Sequence, residues 1–171
     1  MRERLTEERL RAFMRALARE AVEEGRVYVT GGATAVLQGW RESTLDVDIK
    51  ITPEHDRLLR AIPALKEALQ INVELASPDD FIPQLPGWQD RSRFIAREGK
   101  LSFHHYDFYA QALSKIERDH DLDRRDVRAM IEQGLVEPAK LLTLFVAIEP
   151  ELYRYPAINP ARFAERVRKL Q

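Results

Sequence analysis

Two carboxylates, Asp46 and Asp48, stand two residues apart in the segment DVDIKI, and a glycine pair, Gly31 and Gly32, lies thirteen residues upstream. Alternate residues of a strand share a face. Both carboxylates would therefore point the same way, about 7 Å apart along the chain, while Val47 and Ile49 point into a core. Two like charges side by side on a half-buried face are costly unless a cation lies between them. A divalent metal suits that position, because carboxylate oxygens are hard ligands. Mg²⁺ takes one or two of them together with water and substrate phosphates. The glycines supply the complement. The β-rich run RVYVT ends in them and passes into a short helical stretch, ATAVLQGW. Backbone N–H groups at a helix start attract phosphate, and glycine lets phosphate come close to the backbone. A phosphate cradle beside a metal clamp serves phosphoryl or nucleotidyl transfer.

The glycine pair, the spacing and the Asp-x-Asp strand together resemble the signature of the nucleotidyltransferase superfamily related to DNA polymerase β. Residues 41 to 48 read R-x-x-T-x-D-x-D, from Arg41 through Thr44 to Asp48. That run resembles more specifically the AbiEii-type branch, which includes toxin components of toxin–antitoxin systems and many uncharacterised bacterial relatives. The resemblance implies an α+β fold with a nucleotidyltransferase-like mixed β-sheet core flanked by helices. It implies transfer of a nucleoside monophosphate from an NTP to an acceptor hydroxyl, on RNA (tRNA especially) or on a protein. Mg²⁺ or Mn²⁺ would be the cofactor, and an antitoxin a partner.

The resemblance also implies a third acid on a neighbouring strand, as a metal ligand or as the base. Glu74 in INVELAS is the preferred candidate, with Asp79 and Asp80 in the following loop as the alternatives. Arg41 could pair with triphosphate oxygens through a two-pronged hydrogen bond, or could neutralise Asp46 or Asp48. Thr44 lies in the same loop. In the helical part, Lys115, Arg118, Asp123 and Asp126 are similar to a lysine–arginine then aspartate pattern of that branch. Lys115 is the candidate phosphate ligand among them; a charged amphipathic helix pair would account for the same residues. Gly32 departs from the serine often found there, so a phosphate-binding hydroxyl is missing unless Thr34 supplies one. The rival to an enzyme is an inactive protein of the same fold that binds a nucleotide or a partner chain.

Several elements must position these residues. The apolar period of Leu10, Phe13, Met14, Leu17 and Ala21 predicts a helix over 6–24, capped by Thr6 and closed by Gly25. Strands are expected over 26–30, 46–51 and 71–76. In the last of these, Ile71, Val73 and Leu75 would face a core, and Asn72, Glu74 and Ala76 the active side. Thr52-Pro53 reads as a helix start, with Pro63 kinking or dividing the helix before Gln70. Residues 93–108 read as a hairpin turning at Glu98-Gly99-Lys100. His104 and His105, adjacent on one strand, face opposite ways and cannot ligate one metal together. Four helices are expected near 108–119, 123–133, 138–148 and 160–170. The division expected is a core over 1–107 and a helical part over 108–171, packed as one compact unit.

Composition narrows the classes. At 44% hydrophobic residues the chain can build a core, and a net charge of −1 gives no global case for nucleic-acid binding. Arg124, Arg125 and Arg128 form a local basic stretch that reads as a solvated helix face or as an acceptor contact. The absence of cysteine excludes disulfides and thiolate zinc sites and suits a reducing cytosol. The charged N-terminal stretch lacks an apolar signal core. No apolar run approaches the roughly 20 residues that span a bilayer. A cytoplasmic protein is expected.

Overall fold

The structure, a computed structural model, describes residues 2–171. The fold is α+β. A mixed five-stranded sheet is built from β1 (Gly25–Thr30), β2 (Asp46–Thr52), β3 (Asn72–Glu74), β4 (Phe94–Glu98) and β5 (Leu101–His105), in the order β3-β2-β1-β5-β4. β1 runs antiparallel to β2 and parallel to β5; β2 runs parallel to β3; β4 and β5 form the expected hairpin.

Alternation decides which face is buried. Val27, Val29, Val47, Ile49, Ile51, Val73, Leu101 and Phe103 form one core with Leu10, Phe13 and Leu17 of α1 (Glu7–Arg19) and Leu58 and Ile62 of α3 (Asp56–Leu69). Each such side chain contributes on the order of 1.5–3 kcal/mol by leaving water. A one-residue slip of β2 would expose Val47, Ile49 and Ile51 together and bury its two aspartates, so the register is firmly set.

Local signals held in some places and failed in others. Thr6 caps α1 by accepting from Arg9 N–H, as expected, but the helix ends at Arg19, and Gly25 opens β1 opposite Leu101. Thr52 does not cap α3. It is the last residue of β2, paired with Arg26, and the cap is His55, whose ring accepts from Leu58 N–H. Pro63 sits inside α3 without dividing it. β3 stops at Glu74. Ile71 and Val73 are buried as expected, whereas Leu75 is 56% exposed, because it lies beyond the pairing with β2.

The chain divides into two compact units, and the expected boundary after residue 107 moves. One unit comprises residues 1–77 and 92–105, the other 78–91 and 106–171. The loop 78–91 joins the helical unit for identifiable reasons. Trp88 of α4 (Trp88–Arg91) stacks on Tyr106 at 4.4 Å between centroids. Arg91 forms an ion pair with the buried Asp107 at 2.7 Å. Tyr155 donates its hydroxyl to the Asp79 carbonyl at 3.0 Å. The other α-helices of that unit are α5 (Phe108–Arg118), α6 (Asp121–Glu132), α7 (Pro138–Ile148) and α8 (Pro160–Arg168), close to the helices expected from sequence. None of the described helices is long and apolar enough to cross a membrane.

Candidate active site

The site lies on the face of the sheet opposite the apolar core. Asp46 and Asp48 are half-buried on that face, with Val47 and Ile49 fully buried on the other. Strand pairing places Thr30 beside Asp48 on one side and Glu74 beside it on the other; Asn72 stands beside Asp46.

The glycine turn follows Thr30 directly and returns the chain into the six-residue helix α2 (Gly32–Leu37). Gly31 has φ +67, a left-handed conformation that favours glycine. A β-carbon at Gly31 would also stand 2.8 Å from Asp48 Oδ2. The Asp48 carboxylate therefore fills the space that a side chain at position 31 would take, and Gly31 is required both by its backbone and by the carboxylate beside it.

Gly32 is required for another reason. Its φ is ordinary, but a β-carbon there would stand 2.8 Å from Thr44 Cβ and 3.2 Å from Arg41 Nη1, with the Thr44 hydroxyl closer still. The space expected to admit phosphate at this glycine is taken by the two side chains of the R-x-x-T run. Thr44 is buried and held by the N-terminal segment: Leu5 N–H donates to the Thr44 carbonyl at 2.7 Å, and Thr44 N–H to the Leu5 carbonyl at 2.9 Å. Arg4 Nε donates to Ser43 Oγ at 2.7 Å in the same loop. Sequence reading missed this clamp, since nothing local to Leu5 pairs it with a residue 39 positions away.

Asn72 was expected on the active side, but its link to Asp46 was not. Its amide donates to Asp46 Oδ1 at 2.7 Å and more weakly to Glu74 Oε1 at 3.3 Å. One neutral donor thus offsets part of the repulsion between two acids. The signal available was position, since Asn72 shares the strand face of Glu74.

The remaining candidates are placed as follows. Glu74 is exposed, and among the described residues no three carboxylate or imidazole side chains gather closely enough to hold one ion. The Asp46 and Asp48 pair still fits the chemistry of Mg²⁺, which commonly takes two carboxylates and completes its shell with water and phosphate oxygens. Asp79 and Asp80 belong to the helical unit, where Asp79 accepts from the Tyr106 hydroxyl at 3.4 Å. Lys115 also lies in that unit. It is buried, with its ammonium 2.7 Å from Asp126 and 3.8 Å from Asp123, and Arg118 holds Asp123 from the other side. Burial opposes ionisation of Asp123, but the hydrogen bonds and charge of Arg118, with help from His120 N–H and Lys115, keep its carboxyl below the usual range. The lysine–arginine–aspartate pattern is therefore an ion-pair network joining α5 to α6.

Thr34 is turned inward. Its hydroxyl donates to the Val29 carbonyl at 3.1 Å and meets His105 Nδ1 at 3.0 Å, so it does not replace the missing serine hydroxyl. The two histidines do face opposite ways. His104 lies beside Tyr28 and Phe94, while His105 spans Thr34 of α2 and Gln38 at its C-terminal cap on the core side. Burial, aided by the charges of Arg11, Arg93 and His104, lowers the His105 pKa to about 4.

No curated protein and no solved structure matches the chain. The sequence profile of one family does match, over residues 7–167, which takes in the glycine turn, both aspartates and almost all of the helical unit. The chain belongs to that family, described as nucleotidyltransferase of unknown function (DUF6036).

Proposed function

We propose that this nucleotidyltransferase moves a nucleoside monophosphate from an NTP to an acceptor hydroxyl, on RNA, tRNA in particular, or on a protein. The observation that carries the reading is that the Asp48 carboxylate fills the space a side chain at Gly31 would take, so a glycine turn and an acidic strand face lie at one place. Asp46 and Asp48 are the residues that would hold Mg²⁺ or Mn²⁺. A divalent ion there supplies neutralisation for the triphosphate and its pyrophosphate leaving group. Arg41 and Thr44, side by side against Gly32, are assigned to phosphate oxygens, with the Gly31 turn beside them. Glu74, level with Asp48 and open to solvent, is assigned as the base that takes the acceptor hydroxyl proton. Lys115 is left out of this set, because its ammonium is committed to Asp126 and Asp123. The R-x-x-T run packed on the glycine turn supports a place in the AbiEii-type branch, with a toxin role and an antitoxin partner.

The test is pyrophosphate release with each of the four NTPs and Mg²⁺, with bulk tRNA or a protein mixture as acceptor. Release that Asp46→Ala and Asp48→Ala abolish in folded protein supports the reading. The lack, among the described residues, of three acids gathered closely enough to hold one ion, and the filled space at Gly32, favour a second reading, a catalytically silent binder of nucleotide or partner. NTP binding without pyrophosphate release under every acceptor condition would select it.

A further inference from the structure

We propose that the sheet face bearing the two aspartates binds the acceptor as single-stranded RNA, with Phe94 and His104 stacking one of its bases and Arg26 holding a phosphate; this rests on nucleotidyl transfer at Asp46 and Asp48. Strand register lays the residues out in rungs. Glu74, Asp48 and Thr30 form one rung across β3, β2 and β1. Lys50, Tyr28, His104 and Phe94 form the next, across β2, β1, β5 and β4. Thr52, Arg26, Ser102 and Arg97 form the third. Alternate residues share a face, so the three rungs lie on the side that carries the aspartates. The irregularity between Phe94 and Ala96 keeps both Phe94 and Arg97 on that side.

The second rung ends in a stacking surface. Phe94 is 61% exposed on the edge strand. Its ring meets His104 edge-on, at 5.6 Å between centroids and 76° between planes. Tyr28, itself buried, backs His104 at 5.7 Å. Ser102 Oγ is hydrogen-bonded to His104 Nε2 at 2.9 Å. Burial, with the charge of Arg26, lowers the His104 pKa, so the imidazole is neutral near pH 7. A large ring held at a set angle and left in water suits a base, because every base has a π-face.

The charge that remains after ion pairs are counted agrees. Arg97 is taken by Glu24 at 3.1 Å. Arg26 is exposed and makes no ion pair among the described residues, and its charge reaches His104. One uncommitted cation a rung away from the aromatic pair supplies the phosphate contact that accompanies stacking on single strands.

Distance assigns the base to the acceptor and not to the NTP. Phe94 lies three strand spacings across and two residues along from Asp48, about 16 Å between backbones. A single ribose separates the NTP base from the α-phosphate at the metal, too little to cross that gap. A run of nucleotides whose end reaches the metal does cross it. A protein acceptor has no base to place there.

The test is fluorescence anisotropy of a labelled single-stranded RNA of about ten nucleotides against the full chain without NTP, so that the result does not depend on turnover. Saturable binding is expected. Phe94→Ala should weaken it about tenfold or more, the scale of one lost stacked base, and Phe94→Trp should retain it. Arg26→Gln should reduce the dependence of log affinity on log salt by about 0.7. Both side chains are exposed, so the thermal midpoints should not move. Affinity for a fluorescent ATP with Mg²⁺ should be the same in Phe94→Ala. No RNA binding at about 100 μM protein, the weak end of non-specific nucleic-acid binding, overturns the proposal. So does RNA binding that Phe94→Ala leaves intact, a loss of ATP affinity in Phe94→Ala, which would give the ring to the NTP, or pyrophosphate release with a protein acceptor alone. Phe94-dependent RNA binding without pyrophosphate release would support this surface and count against the transfer reading only.

Discussion

Thr44 occupies the volume that any side chain at position 32 would need: a β-carbon on Gly32 would stand 2.8 Å from Thr44 Cβ. The glycine is thus coupled to a particular partner rather than left open for a ligand. Gly32→Ala should lower stability by roughly 1–3 kcal/mol, the usual cost of overpacking a rigid site. Adding Thr44→Gly should return part of that loss. A thermal double-mutant cycle should show a favourable coupling of at least about 1 kcal/mol. Additive effects would mean that the contact is not tight in solution.

Asn72 should matter for metal more than for folding. Removing the amide in Asn72→Ala leaves Asp46 and Glu74 without their shared donor, at a cost of about 1 kcal/mol. Under the proposed function the orientation of Asp46 is lost as well. Mn²⁺ affinity, read by electron paramagnetic resonance, should fall about tenfold, the scale seen when a ligand loses its hydrogen-bonded support. Unchanged affinity would reduce Asn72 to a link between strands.

His105 should make the protein sensitive to mild acid. Its folded pKa is lowered to about 4, whereas the unfolded imidazole titrates at its ordinary 6.5. Between these values the unfolded chain binds a proton that the folded one does not, so stability is complete above about pH 6.5 and falls as pH drops towards 4. The loss available is on the order of 3 kcal/mol. Denaturant melts from pH 7 to pH 4.5 should show that slope, and His105→Gln should flatten it. An identical slope in the variant would place the acid sensitivity elsewhere.

Lys115 distinguishes a phosphate ligand from a structural cation. Lys115→Met leaves Asp126 buried without its cation, and breaking a buried pair in this way costs about 3–5 kcal/mol. The thermal midpoint should fall sharply. NTP affinity per folded molecule should stay unchanged. Lost affinity at an unchanged midpoint would restore Lys115 to the triphosphate.

Much of the sheet unit was legible because its signals are local and periodic. Alternation in DVDIKI told which side of β2 is buried, and the glycine turn located the end of β1. The failures have a common physical source. Thr52-Pro53 satisfies the rules of a helix start, yet the same residues can complete a strand, and pairing with Arg26 decided the matter. Leu75 continues an apolar alternation that outlasts its partner strand. Lys115, Arg118, Asp123 and Asp126 have residue types that suit phosphate chemistry and ion pairing equally well, so burial had to choose between them. Leu5 on Thr44, Asn72 on Asp46, and Trp88 on Tyr106 are contacts between distant segments, and no short window of sequence contains both partners.

The order of the strands has a consequence for synthesis. β1, the middle strand, takes β5 as its parallel neighbour, and β5 begins 71 residues after the end of β1. A nascent chain that has released β1, β2 and β3 therefore exposes an unpaired row of backbone donors and acceptors along β1, with Val27 and Val29 beside it. Such an edge invites pairing with other chains until its own partner arrives. Ribosome-bound chains stopped before residue 101 should need a holding chaperone. Chains released past residue 105 should lose that need as β5 docks and closes the edge.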